Sequence, residues 1–129
     1  MKAHQQVLSW LGVGLYALLT LWLMCAPQPL PETPRTPSVA GLGHFVIFGG
    51  LAGMVAWGLH TTWTALPSRA HFWIPIGAAS AYGVILESAQ YFIPERQFDL
   101  FDIVLNIVGA LCAQILLTRI LWRRLRTSR

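Results

Sequence analysis

Nearly all the charge that falls inside apolar sequence lies in one stretch, Glu87-Ser-Ala-Gln90-Tyr-Phe-Ile-Pro-Glu95-Arg96-Gln-Phe-Asp99-Leu-Phe-Asp102-Ile-Val-Leu-Asn106. Glu87 and Gln90 stand three residues apart and share a helix face, which Ser80 and Gly83 extend. Asp99, Asp102, Asn106, Gly109 and Ala113 recur at spacings of 3, 4, 3 and 4. That is a polar stripe turning into a small-residue stripe along one side of a second helix. A short turn joins the two, so the stripes can face each other in an antiparallel hairpin. His44 opens another apolar segment.

The chemistry open to these residues is limited. Arg96 is a forked donor suited to phosphate or carboxylate. Glu87 and His44 could move a proton if a substrate sat between them. One histidine with three carboxylates could hold a metal, but no spacing such as H-E-x-x-H supports a ligand set, and none is assigned. There is no nucleophile elbow, phosphate-cradling glycine loop or dinucleotide fingerprint, so catalysis stays open and no cofactor is expected.

Each residue also has a structural role within reach. Asp99 fits a helix N-cap, with Asp102 completing a capping-box-like pattern. Arg96 could be a turn residue neutralising Glu95, and Gln90 and Asn106 could be inter-helix hydrogen-bond glue. His44 could be satisfied by a backbone carbonyl. Glu87 is hardest to dismiss, because a glutamate that deep must be protonated, paired with Arg96 or His44, or hydrated. His4, His60 and His71 lie on flanks and are expected to be solvated.

The elements that hold these residues follow from composition. Of 129 residues, 55% are hydrophobic and 11% charged, and the mean hydropathy is +0.55. Ordinary soluble chains are about 25% charged. Disorder is excluded by the same numbers, and a disulfide scaffold by the presence of only Cys25 and Cys112. An all-α bundle of four transmembrane helices is expected, with spans near 7–26, 42–59, 72–93 and 100–118. Pro75 falls in the first turn of the third span as drawn, and Pro94 closes it. The 27–40 segment reads as a proline-rich outer loop and 119–129 as a basic cytoplasmic tail. Gly49 with Gly53, Gly77 with Ala81, and Gly109 with Ala113 are spaced for close helix packing. The first span is expected to remain uncleaved.

Lys2, Arg69, Arg119, Arg123, Arg124, Arg126 and Arg129 flank one side of the spans, and only Arg35 and Arg96 the other. That asymmetry puts both termini in the cytoplasm. The net charge of +4 sits mainly in the C-terminal tail, where lipid head groups rather than nucleic acid are the natural partner. With these boundaries, Glu87 and Asn106 lie about 9 Å below the outer surface, and His44 and Asp102 about 3 Å. The expectation is an outward-facing polar pocket of His44, Glu87, Gln90, Arg96, Asp99, Asp102 and Asn106, above a nearly featureless inner half.

The run Glu87-x-x-Gln90, Arg96, Asp102-x-x-x-Asn106-x-x-Gly109 resembles the signature of VanZ-like proteins, and His44-Phe45 resembles that family's other signature. The resemblance covers about Gly43 to Ala113. Relatives often carry an Asp and a Lys shortly before the histidine; Ser38 and Gly41 stand there in this chain. If that lysine binds an anion in relatives, Arg96 must act alone here. The resemblance implies a small membrane protein of the bacterial cell envelope, in the cytoplasmic membrane. The family's namesake confers low-level tolerance of teicoplanin-type glycopeptides. A binding protein for a polar or anionic envelope head group is therefore expected, with membrane lipids, a lipid-linked precursor or a glycopeptide as partners. The alternative is an intramembrane enzyme using Glu87 and His44 as acid and base.

Overall fold

The computed structural model describes residues 2–26, 37–94 and 98–127, with residues 2, 37–40 and 121–127 described by backbone alone. Within them the chain forms four helices: α1 Lys2–Cys25, α2 Pro37–Thr62, α3 Ser68–Gln90 and α4 Leu100–Thr127. All four are long and apolar enough to cross a membrane, and no strand occurs among the described residues. The chain is a multi-pass membrane protein.

The helix ends differ from the expected spans for identifiable reasons. α2 begins at Pro37, so the last residues of the 27–40 segment are helical. Proline suits a first helical position, because its missing N–H would have no partner there. Residues 27–36 lie outside the described residues. α3 begins at Ser68, which moves Pro75 from the expected first turn to the helix interior. There it withholds the N–H that would bond the His71 carbonyl. The Pro75 ring is fully buried, and the helix runs on to Gln90. It then tightens through Phe92 N–H to Ala89 O (3.1 Å) and Ile93 N–H to Gln90 O (2.9 Å). α4 continues to Thr127, so most of the arginine-rich tail is helical.

α2 touches all three other helices and packs most extensively on α4. Its Phe48, Leu51, Ala52, Val55 and Leu59 form the core with Met24, Ile76, Ala79, Leu86 and Ala110. The outer faces carry exposed Leu8, Leu15, Leu18, Val104, Ile107 and Leu116, as a lipid-facing surface requires. Only one of the expected small-residue contacts is close. A Cβ on Gly49 would stand 3.0 Å from the Gly109 carbonyl oxygen, and one on Gly109 would collide with the Phe45 carbonyl. At Gly53 it would meet only Leu117 at 3.9 Å, and at Gly77 nothing within 4 Å. The glycines therefore press α2 onto α4, and Gly77 packs against nothing.

Candidate functional site

The chain alternates direction, so the start of α2, the end of α3 and the start of α4 meet at one end of the bundle, beside the end of α1. His44 projects from the second turn of α2. Its Nδ1 lies 3.1 Å from Asn106 Oδ1 and 3.6 Å from Glu87 Oε1. Its Nε2 lies 3.4 Å from Asp102 Oδ2. Three helices thus bring four of the expected residues together around one imidazole.

Burial makes this cluster chemically unusual. Glu87 and Asn106 are each 1% exposed. Glu87 Oε2 and Asn106 Nδ2 have no hydrogen-bond partner among the described residues. Leaving such a group unpaired costs about 1–3 kcal/mol, and more when it is charged. Asp102 is more open than His44 and Glu87, with its side chain 22% exposed. Gly83 makes the room: a Cβ there would stand 2.8 Å from Asn106 Nδ2 and 3.1 Å from Phe48.

The other expected residues have different places. Gln90 is buried, but its Nε2 donates to the Met24 carbonyl at 2.8 Å, tying α3 to the end of α1. Asp99 is exposed and caps α4 through Phe101 N–H to Asp99 Oδ1 at 2.8 Å. The reciprocal half of a capping box is not used, since Asp102 turns to His44 instead. Arg96, with Glu95 and Gln97, lies outside the described residues. Along its helix, His44 is seven residues from the start of α2, a rise of about 10 Å. Glu87 is only three residues from the end of α3.

The opposite half of the bundle is not featureless, contrary to expectation. Ser9 Oγ and Thr61 Oγ1 are 2.8 Å apart, Gln6 Nε2 donates to Thr61 O at 3.0 Å, and Trp10 Nε1 donates to Thr62 Oγ1 at 2.9 Å. Gln114, buried on α4, donates to the Ala52 carbonyl at 3.1 Å. His71 is buried rather than solvated. It stacks on exposed His60 with centroids 4.3 Å apart, and its Nε2 lacks a partner among the described residues. Gln114 was findable, because it continues the stripe two turns beyond Asn106. The Ser, Thr and Gln contacts left no signal, since uncharged polar residues are unremarkable in an apolar helix. A groove of about 400 Å³ at this end, lined by Gln6, Val7, Trp10, Leu11 and Thr62, holds no titratable group.

The model of the VanZ/LLP1 family matches residues 13–123. The chain belongs to the VanZ/LLP1 family. The match takes in His44, Glu87, Asp102 and Asn106, so the buried cluster is part of this protein's VanZ/LLP1 region. Curated proteins and solved structures give no match.

Proposed function

We propose that this VanZ/LLP1-family protein binds the polar head group of an envelope lipid, or of a lipid-linked precursor, at the His44–Glu87–Asp102–Asn106 end of the bundle. The observation that carries this reading is the pair of buried atoms, Glu87 Oε2 and Asn106 Nδ2, that have no hydrogen-bond partner among the described residues. Groups that are expensive to bury unpaired are retained where something else completes them. The loop-charge asymmetry supports an orientation in which this end faces outward and both termini are cytoplasmic. Arg96, three residues before the Asp99 cap, supplies the contact to an anionic head group. Teicoplanin tolerance would follow if the head group belonged to the glycopeptide's target or to the glycopeptide itself.

A second reading is favoured by the imidazole held between two carboxylates, 3.6 and 3.4 Å away. That is the arrangement of a general base that is oriented on one side and reactive on the other. In this reading the protein converts a lipid head group, with His44 and Glu87 exchanging the proton.

Titrating the detergent-purified protein with short-chain anionic and zwitterionic phospholipids, followed by tryptophan fluorescence, tests the proposal. Saturable binding that Glu87→Gln and Arg96→Ala each abolish supports it. Binding equal in wild type and both variants refutes it. Chemical turnover that Glu87→Gln removes while binding persists selects the enzyme reading.

A further inference from the structure

A neutral imidazole offers one donor nitrogen and one acceptor nitrogen. Around His44, every polar neighbour is an oxygen: Asn106 Oδ1 and Glu87 Oε1 at Nδ1, and Asp102 Oδ2 at Nε2. The Asn106 contact, at 3.1 Å, is a hydrogen bond in which Nδ1–H donates. That leaves the Nε2 lone pair facing a carboxylate oxygen at 3.4 Å. Two lone pairs so placed repel unless a proton or a metal cation lies between them.

We propose that His44 Nε2, Asp102 and Glu87 form a binding site for one divalent transition-metal ion, of which Zn²⁺ is the best fit. Two ligand atoms about 2.1 Å from a shared tetrahedral ion stand about 3.4 Å apart, which is the His44–Asp102 separation. His44, Glu87 and Asp102 each present one ligand atom, all within 4.8 Å of one another. Glu87 Oε1 lies 3.6 Å from Nδ1, so its carboxylate would have to swing toward the Nε2 side to complete the set. Glu87 supplies an independent indication, since the cluster's deepest carboxylate has an oxygen without a partner among the described residues. Asn106 fills the place usually taken by the group that accepts the other ring N–H of a metal-binding histidine. Two carboxylates and a dication sum to zero charge, which offsets part of the cost of burying the acids. One nitrogen and two carboxylate oxygens suit Zn²⁺ or Mn²⁺ over Ca²⁺, and three protein ligands leave a position open. That position would lie toward the exposed side of Asp102. The site goes beyond the head-group reading and stands without it, although an ion there would give an anionic head group its positive partner.

The test is Zn²⁺ binding to the full chain, purified in detergent and stripped with chelator, by calorimetry and by X-ray absorption at the zinc edge. One ion per chain, in a shell of nitrogen and oxygen only, is expected. His44→Ala and Glu87→Gln should each weaken binding at least about tenfold. Thr61→Val, at the other end of the bundle, should bind as wild type. Glu87→Gln keeps the side chain's shape, and helicity and size-exclusion profile verify its fold. If the variants misfold, the wild-type absorption spectrum decides alone. No Zn²⁺ binding, binding indifferent to both site variants, or sulfur at about 2.3 Å from Cys25 or Cys112 would overturn the proposal.

Discussion

Asn106 Oδ1 and His44 Nδ1 meet at 3.1 Å across the seam between α2 and α4, the most extensive helix contact in the protein. Gly109 lies one turn further along α4 and lets that seam close onto the Phe45 carbonyl, beside His44. The glycine contact and the polar contact are thus one device. The first sets how near the backbones come, and the second fixes the imidazole that the approach delivers.

Gly109→Ala should therefore push the seam apart, lowering stability by about 1–3 kcal/mol as overpacking does. Gly77→Ala and Gly53→Ala should be tolerated, since an added methyl meets open space or ordinary contact. Thermal unfolding of the three purified variants checks this ordering. Equal losses at all three positions would mean the close approach is not specific to Gly49 and Gly109.

Glu87→Gln should leave thermal stability unchanged or raise it, while removing head-group binding. The substitution takes away an incompletely paired buried carboxylate, and sites kept for function commonly reduce stability. A drop of several degrees in Tm for this isosteric change would assign Glu87 to structure instead.

Gly83→Ala is expected to displace the Asn106 amide, the flexible member of its contact set, and so to loosen His44. The readout is the His44 imidazole signal by NMR alongside head-group affinity. A weakened affinity with a shifted imidazole signal is expected, whereas an unmoved signal would show that Asn106 does not orient the ring.

Thr61→Val removes the contact to Ser9 at the other end of the bundle. It should cost about 0.5–1.5 kcal/mol of stability and leave ligand binding intact. Lost binding with normal stability would show that the two ends are coupled.

Much of this was readable from residue types and spacing. Four long apolar stretches, interrupted by charge only at Glu87 and Asp102, define the helices, because a lone apolar segment inside lipid satisfies its backbone as a helix. The Asp102–Asn106–Gly109 stripe was visible because charge in apolar sequence is costly and therefore conspicuous. His44 was harder, since one histidine near a helix start carries no such signal. What was not readable was each residue's partner. Gln90 and Asp99 each carried two readings, pocket residue or structural contact, and the structural one describes the contacts they make: Gln90 ties α3 to the Met24 carbonyl and Asp99 caps α4. His71 looked solvated because it lies near a loop, yet α3 begins three residues before it and turns it inward. Helix ends decide such matters, and proline placed two of them differently: Pro37 starts α2, and Pro75 fails to start α3.

The measurement that bears most directly on the head-group site is native mass spectrometry of the protein released from matched membranes, wild type beside Glu87→Gln and His44→Ala. The account predicts that wild type retains a polar envelope lipid that both variants lose, at equal expression and helicity. Identical lipid retention by all three proteins would contradict it.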